Sequence, residues 1–231
     1  ENSAGADAKM RIFNQDGSES KMAGNSIRCV AKYAYDYGIV NKTSISVATK
    51  SGVKYLDLSI RDGKVSMVKV NMGAPILQAS LIPVVSESEQ VVNAPIEVDG
   101  QIYHFTAVSM GNPHFVTFVE DIKQANLPVT GPLLEHHPYF TDRANIEFVQ
   151  FLSEGNARMR VWERGSGITQ ACGTGACASA VALIAHGRAQ KGDKIQIQMD
   201  GGTLTIEWNP TDNHVYMTGN AVTVFEGSIK L

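Results

Sequence analysis

Apolar residues follow two spacings along the chain, and these spacings predict its helices and strands. Helical spacing predicts a first helix that begins at Gly24 and ends before Gly38. A second helix, over 175–186, is apolar on nearly every face, which is typical of a helix that runs through the middle of a domain. Shorter helices are predicted over 121–127 and 132–136. Alternating apolar and polar residues predict strands at 10–13, 44–49, 53–60, 64–72, 96–98, 102–108, 115–119, 146–151, 157–162, 195–199, 203–208, 214–218 and 222–225.

One stretch of sequence occurs twice. Each copy begins with a short strand, passes through a polar turn into a glycine-rich helix start, and ends its helix at a glycine. The matched pairs are each separated by 149 positions: Met10 and Met159, Ala23 and Cys172, and Gly38 and Gly187. A constant separation over several matches indicates an internal duplication. We therefore predict two similar domains with a pseudo-two-fold relation.

The duplication predicts both the fold class and the domain limits. The fold class is α/β, mixed and β-rich, with two pseudo-symmetric domains, each a helix start followed by a meander of strands. We assign residues 1–74 and 220–231 to the first domain and residues 75–219 to the second. Strand-rich sequence precedes Met159, whereas nine residues precede Met10. Symmetry therefore predicts about 50 further residues ahead of the first domain.

Composition narrows the class of protein. A formal net charge of −3 gives no electrostatic footprint for nucleic acid. The longest apolar run, 176–185, is too short to span a bilayer, and the first residues do not read as a signal peptide. Three cysteines argue against a disulfide framework and favour a reducing cytoplasm. No cluster of cysteine or histidine predicts a metal site.

The two glycine-rich helix starts are the first candidates for chemistry. Free N–H groups at a helix N-terminus bind anions, so two such starts facing one cleft would hold a carboxylate. Cys172 precedes one of them, in a position where a thiol pKa is commonly lowered. We predict that Cys29 and Cys177 are core residues and that His136 and His137 form a solvated helix end. A duplicated centre favours two acid/base groups on opposite faces of one carbon, which is the arrangement of a racemase or epimerase.

Four stretches make the prediction more specific. They read Asn-Gln-Asp-Gly-Ser-Glu at 14–19, Met-Ala-Gly-Asn-Ser-Ile-Arg-Cys at 22–29, Ser-Met-Gly-Asn-Pro-His at 109–114, and Glu-Arg-Gly followed by Gln-Ala-Cys-Gly-Thr-Gly within 163–175. Together they closely resemble the diaminopimelate epimerase family, in order over essentially the whole chain. The resemblance implies an enzyme that interconverts LL- and meso-diaminopimelate without pyridoxal phosphate or another cofactor, on the route to lysine. It also implies a curved sheet or barrel around a central helix in each domain, a substrate between the domains, and a homodimer.

The resemblance also implies roles for individual residues. Cys172 would be one of two thiol acid/bases, with Glu163 beside it and His114 beside the opposite position. Backbone N–H groups would hold the reacting α-carboxylate, and side chains would recognise the rest of the substrate, with Arg164 suited to the distal carboxylate by its planar fork. The N–H donors implied are those of Gly24, Asn25, Gly173 and Thr174, and the recognising side chains are Asn14, Asn112, Asn145, Glu163 and Arg164. For the asparagines, a turn-forming role is the alternative.

Position 23 departs from the family, because Ala23 stands where the resemblance places the second catalytic cysteine. Alanine cannot carry a proton, so two-base epimerisation should fail or be severely slowed. We interpret Ala23 as an engineered replacement; a natural variant is the alternative. Two other functions stay open: a related racemase acting on proline or hydroxyproline, and a catalytically inactive protein that keeps the ligand cleft. A pyridoxal phosphate enzyme is disfavoured, because no lysine lies in a suitable cofactor loop.

Overall fold

The computed structural model describes residues 5–13, 17, 19–20 and 23–230, and the chain separates into two compact units. The first comprises Glu1–Asn71 and Thr218–Leu231, and the second comprises Met72–Met217. The division predicted above placed the boundaries at 74/75 and 219/220. Among the residues described, no helix is long and apolar enough to cross a membrane.

The first unit places one helix against an antiparallel meander. Helix α1 packs against β4, β5 and β6, which pair antiparallel in that order, while β1 lies parallel to β4. Strands β2 and β3 form a separate antiparallel pair. The elements are β1 (Ala8–Lys9), β2 (Ile12–Phe13), β3 (Glu19–Ser20), α1 (Gly24–Asp36), β4 (Ser44–Thr49), β5 (Gly52–Arg61) and β6 (Lys64–Asn71).

The amphipathic pattern of α1 decides which of its faces is buried. Ile27, Ala31 and Ala34 lie three or four residues apart and share the buried face. Cys29 lies two residues from Ile27, which turns its side chain about 200° around the helix, and it is exposed. The prediction that Cys29 is a core residue is therefore wrong, whereas Cys177 is buried as predicted.

The second unit is larger and mixes parallel with antiparallel pairing. Its strands follow the order β14-β13-β11-β10-β9-β8-β7, and β12 pairs with β11. Strands β9 and β10 are parallel, as are β11 and β13. The elements are β7 (Ala94–Val98), β8 (Gln101–Ser109), β9 (Pro113–Phe118), α2 (Leu127–Glu135), β10 (Asn145–Ser153), β11 (Asn156–Glu163), β12 (Gly167–Thr169), α3 (Gly173–Ala185), β13 (Lys194–Met199) and β14 (Gly202–Trp208); β15 (Val215–Asn220) returns the chain to the first unit.

Helix α3 is the centre of the second unit, as its uniformly apolar sequence predicted. Every residue from 175 to 183 is buried. The helix contacts six strands, namely β8, β9, β10, β11, β13 and β14. Its small side chains let the surrounding strands approach closely, and its N-terminus is fixed relative to several of them. The mixed, β-rich α/β class predicted from the sequence is confirmed.

Some predicted elements differ from the observed ones. The region predicted as two short helices contains a 3-10 turn, Ile122–Gln124, and one helix, α2, which includes Pro132. A proline commonly starts a helix, so the sequence suggested a later beginning; burial of Leu127 and Leu134 on one face of α2 outweighs that preference. The prediction of a strand over 222–225 is wrong. No described strand pairs with this segment, and the side chains of Val224 and Phe225 are exposed and have no sheet to pack against.

The two copies of the repeated stretch have the same local backbone. Helices α1 and α3 both contain 13 residues, and their bounds differ by the same 149 positions that separate the sequence repeats. The N-cap of α1, Ala23, has φ −138° and ψ 116°, and the N-cap of α3, Cys172, has φ −131° and ψ 113°. Gly38 and Gly187, which follow the C-caps, have φ 70° and 69°. The duplication therefore extends to the geometry of each helix start and end.

Candidate active site

Cys172 lies at the N-cap of α3, inside the second unit. Its Sγ accepts a hydrogen bond from the Gly175 backbone N–H at 3.3 Å and lies 3.5 Å from the Thr174 hydroxyl. The extended conformation of Cys172 aims its side chain back over the first turn, as Ser or Asp does at an N-cap. Only 6% of the residue is exposed. The polar turn before the helix and the glycines after it thus give the sulfur a fixed place and a donor.

The pKa of the Cys172 thiol is raised, which contradicts the lowered pKa predicted from its place at a helix N-terminus. Burial is the largest cause, and the charge of the nearby Glu163 carboxylate adds to it. The hydrogen bonds from Thr174 and Gly175 act in the opposite direction but are weaker. Desolvation and like charge therefore outweigh the helix terminus, and the resting group is a thiol.

Glu163 ends β11 and is held by the short strand that follows. The Thr169 hydroxyl donates a hydrogen bond of 2.5 Å to Glu163 Oε1. Glu163 and Gly167 are partners in the antiparallel β11–β12 pair, so the chain turns back directly after the carboxylate. Its charge acts on both Cys172 and Glu147. The structure therefore places the Glu163 carboxylate near Cys172.

His114 is fully buried in β9 and belongs to a set of polar contacts around the start of α3. Its Nε2–H donates to Asn112 Oδ1 at 3.0 Å, since a carbonyl oxygen can only accept. The Asn112 amide in turn donates from Nδ2 to Thr174 Oγ1 at 3.3 Å. Thr174 is the residue whose hydroxyl approaches the Cys172 sulfur. His114 and Asn112 are thus brought together with Thr174 within one unit.

Glu147 is a site residue that the sequence analysis did not identify. It lies on β10, is fully buried, and its Oε1 lies 2.7 Å from His114 Nδ1. Burial raises the pKa of Glu147, against the opposing effect of His114. A single acidic residue between the apolar Ile146 and the apolar pair Phe148 and Val149 was the available signal. A buried carboxyl group without a function is rare enough that this pattern could have marked it.

Two backbone donors remain available in the first turn of α3. The N–H groups of Gly173 and Thr174 have no acceptor among the residues that the structure describes, whereas the N–H of Ala176 bonds to the Cys172 carbonyl. Free N–H groups at the positive end of a helix dipole form an anion site. This pair lies beside the sulfur, in the position predicted for binding a carboxylate.

Asn145 and Arg164 are joined, and both have protein partners. Asn145 is 4% exposed, accepts a hydrogen bond from the Arg164 backbone N–H at 2.9 Å and donates to the Pro113 carbonyl at 3.1 Å. The Arg164 guanidinium donates from Nη1 to the Asp142 carboxylate at 2.8 Å. A ligand carboxylate bound by Arg164 would therefore share the guanidinium with Asp142.

The predicted site residues of the first unit that the structure describes lie at the start of α1. Ala23 caps α1 without a side-chain hydrogen bond. Asn25 accepts a hydrogen bond of 3.0 Å from Arg28, which also donates to the Asn220 carbonyl. Asn14 lies outside the described residues. The first turn of α1 therefore has the backbone of a helix-start site, but Ala23 provides no acid/base group.

Comparisons with known proteins identify the family to which the chain is similar. A family model described as "Diaminopimelate epimerase" matches residues 1–78 and 106–224. The chain is 51% identical over 226 residues to the diaminopimelate epimerase of Acetivibrio thermocellus, an alignment that covers 98% of this chain and 80% of that protein. It is 52% identical over 231 residues to the diaminopimelate epimerase of Desulfovibrio desulfuricans, covering 97% of this chain and 80% of that protein.

Solved structures with a similar fold have much lower sequence identity. A probable proline racemase from Agrobacterium radiobacter has a TM-score of 0.73 at 18% identity, covering 98% of this chain and 72% of that one. A phenazine biosynthesis protein of the PhzF family from Bacillus anthracis has a TM-score of 0.69 at 16% identity, covering 99% and 82%. At such identities the likeness shows a shared fold alone.

Proposed function

Because the chain belongs to the diaminopimelate epimerase family, we propose that its site acts on the α-carbon of diaminopimelate and interconverts the LL and meso forms in lysine biosynthesis. The observation that carries the proposal is the placement of Cys172, which caps a helix beside Glu163 and next to two free backbone donors. A thiol beside an anion site suits proton transfer at a carbon that bears a carboxylate.

The geometry supports specific roles for the residues of the second unit. The N–H groups of Gly173 and Thr174 hold the α-carboxylate, which places the α-carbon next to the Cys172 sulfur. The resting thiol is the proton donor. When a substrate ammonium group approaches Glu163, its positive charge offsets the carboxylate that raises the thiol pKa, so the thiolate needed for the reverse step becomes accessible. We assign recognition of the distal end to Arg164, with Asn112 and Asn145 positioning the surrounding loops.

Ala23 determines how much of this reaction the chain can carry out. In the proposed two-base mechanism, the backbone N–H groups of Gly24 and Asn25 hold the same α-carboxylate and a second thiol acts from the opposite face of the carbon. Ala23 provides a methyl group at that position. We expect proton exchange from the Cys172 face, and little or no inversion.

Incubation of the protein with LL- or meso-diaminopimelate in deuterated water tests this proposal. We expect deuterium to enter the α-position from the Cys172 face with retention of configuration, as measured by mass spectrometry and chiral chromatography. Cys172→Ser removes the thiol and should reduce the exchange at least 100-fold, whereas substitution of the exposed Cys29 by Ser should leave it unchanged. Rapid inversion by the unaltered chain would contradict the assigned role of position 23.

Substitutions at Ala23 test whether a second base is what the chain lacks for inversion. Ala23→Cys should add inversion to exchange, because a second thiol can then return the proton from the opposite side. Ala23→Ser has a similar size but a hydroxyl of much higher pKa, so it should not restore inversion. If neither exchange nor inversion appears in Ala23→Cys, the proposed substrate is wrong.

Two other functions make different predictions in the same assay. A proline or hydroxyproline racemase would exchange the α-hydrogen of those amino acids and not that of diaminopimelate. The presence of Ala23 favours a second alternative, a protein that binds the ligand without catalysis. Such a protein would give a calorimetric binding signal with diaminopimelate and no deuterium incorporation. We also propose a homodimer, which sedimentation would detect, and a cytoplasmic location.

A further inference from the structure

The fully buried carboxyl group of Glu147 lies at one end of a continuous series of hydrogen bonds that ends at the Cys172 sulfur. The steps are Glu147 Oε1 to His114 Nδ1 at 2.7 Å, His114 Nε2 to Asn112 Oδ1 at 3.0 Å, Asn112 Nδ2 to Thr174 Oγ1 at 3.3 Å, and Thr174 Oγ1 to Cys172 Sγ at 3.5 Å. All five residues belong to the second unit. A linked series of this kind has a direction, because each group donates on one side and accepts on the other.

The donor groups fix most of that direction. His114 must donate from Nε2, because Asn112 presents its carbonyl oxygen there. Asn112 donates to Thr174 Oγ1, which leaves the Thr174 hydroxyl hydrogen free to point at the sulfur. With its Nε2 protonated, a neutral His114 can only accept at Nδ1. The group that faces Nδ1 is Glu147 Oε1.

The surroundings of Glu147 favour the protonated carboxylic acid over a carboxylate paired with an imidazolium. Its Oε2 is buried and has no hydrogen-bond partner among the described residues. Glu163 provides a second negative charge nearby. Burying a charged oxygen without a hydrogen-bond partner costs much free energy. Burying the carbonyl oxygen of a neutral acid without a partner costs far less.

We propose that Glu147 is a positioning residue that, as a neutral acid, donates to His114 Nδ1 and thereby directs the Thr174 hydroxyl towards the Cys172 sulfur. This inference rests on the proposed function for its catalytic meaning. The consequence at the sulfur is a second hydrogen-bond donor, beside the Gly175 N–H, which stabilises the thiolate as it forms. Cys172 would then reach the charged state in spite of its burial.

The tautomer of His114 is the direct test, and it needs no substrate. Nitrogen NMR of the histidine rings at neutral pH, with the His114 signals identified by their loss in His114→Gln, should show Nε2 protonated and Nδ1 bare. An imidazolium with both nitrogens protonated, or a ring protonated on Nδ1 alone, would overturn the proposal. This measurement on the unaltered chain decides the question even if variants at 147 do not fold.

Substitution of Glu147 tests the effect at the sulfur. Glu147→Gln keeps a donor at Nδ1 and should leave the iodoacetamide alkylation rate of Cys172 within twofold of the parent, as measured by peptide mass spectrometry. Glu147→Met fills a similar volume without a donor and should lower that rate at least fivefold. Glu97→Met, on the exposed side of β7, is the matched control, and the exposed Cys29 is an internal one.

The opposite result has a clear meaning. If Glu147 were a carboxylate, both Gln and Met would remove a negative charge near the sulfur, and alkylation of Cys172 would become faster in both variants. That outcome, or an unchanged rate in a folded Glu147→Met protein, contradicts the proposal. Failure of the proposed function would appear separately, as no deuterium exchange with diaminopimelate while the His114 tautomer and the alkylation pattern are as expected.

Discussion

The Cys172 side chain is subject to two opposing influences within a few ångströms. Burial and the Glu163 carboxylate raise its pKa, while the Gly175 N–H and the Thr174 hydroxyl stabilise the thiolate. The sequence predicted the helix terminus and its donors but not the burial, which depends on strands far away in the chain. A protonated thiol at rest follows from the sum of these effects.

The raised pKa of Cys172 makes the folded protein sensitive to alkaline pH. Above about pH 8.5 the unfolded chain releases the thiol proton and the folded chain retains it, so stability falls as pH rises, by up to about 1.4 kcal/mol per pH unit. Cys172→Ser keeps a capping oxygen but does not titrate in this range. We expect urea unfolding between pH 8 and 10 to show a shallower loss of stability for Cys172→Ser than for the parent.

That comparison contains its own control. Tyr37 also has a raised pKa, caused by its hydrogen bond to Glu226, and it is present in both proteins. Any loss of stability that Tyr37 causes is therefore the same in both proteins and cancels when their slopes are compared. Equal slopes for parent and variant would mean that the thiol pKa is not raised.

At the scale of elements, the first turn of α3 depends on a glycine for its packing. A Cβ at Gly175 would lie 2.7 Å from Glu147 Oε1 and 3.2 Å from Cys172 Sγ. Alanine normally stabilises a helix interior relative to glycine by about 1 kcal/mol. Here the added carbon would displace both the carboxyl group and the sulfur. The glycine in this motif therefore makes room for a residue on another strand.

Gly175→Ala should consequently destabilise the protein by about 1–3 kcal/mol, because the overlap outweighs the helix preference. Its Cys172 should also lose the ordered contact with Thr174, which would be seen as an altered alkylation rate. Gly227→Ala is the control, since a Cβ there would lie 4.0 Å from its nearest neighbour, Phe225. A stabilised Gly175→Ala variant would show that Glu147 can move aside at little cost.

Helix α2 supports the loop that presents Glu163 and Arg164. The Glu135 carboxylate at its C-terminal end accepts hydrogen bonds from the Gly165 N–H at 3.0 Å and from Trp162 Nε1 at 2.6 Å. Glu135 is 3% exposed, so these donors lie in a largely dry environment. This role could not be predicted from the sequence, because the contacts join residues about 30 positions apart.

Removal of the Glu135 carboxylate should therefore affect both the fold and the site. We expect Glu135→Ala to lower the free energy of unfolding by about 2–3 kcal/mol, since the Trp162 and Gly165 donors lose their acceptor. Glu154→Ala, in the exposed turn after β10, should change it by less than about 0.5 kcal/mol. Chemical denaturation with Trp fluorescence gives both values; a loss as small as that of the control would show that water replaces the carboxylate.

The elements themselves were predictable to different degrees. The sequences Asp62-Gly63 and Asp99-Gly100 are typical of tight hairpin turns, and both pairs have the positive φ angles of such turns. Helix α3 followed from its apolar run. Residues whose role depends on distant partners were missed, above all Glu147, whose contacts with His114 and the α3 start span three elements.

Across the two units, the duplication predicted the matching pair of helices, α1 and α3. Both helices have the expected length, and their capping residues have nearly the same φ and ψ. What the repeat could not predict is how differently the copies are surrounded. Helix α3 contacts six strands, whereas α1 contacts three and exposes Cys29 and Tyr33.

The equivalence of the two caps gives a stability prediction for position 23. Ala23 is an N-cap without a side-chain acceptor, and serine is much preferred there. Ala23→Ser should raise the free energy of unfolding by about 0.5–1 kcal/mol, as measured by urea denaturation. Ala23→Val is the control, since it adds volume without an acceptor. No gain with serine would mean that the first turn of α1 differs from that of α3 in solution.

The matched caps also limit which parts of the chain can be exchanged between the copies. A graft of residues 172–175 onto positions 23–26 transfers a first turn onto a backbone that already has its dihedral angles, and it leaves the buried Ile27 in place. A graft of the entire helix would place the apolar outer face of α3 where α1 meets water. Protein engineers could therefore move the chemistry of one half to the other in a four-residue cassette, but not in a larger one.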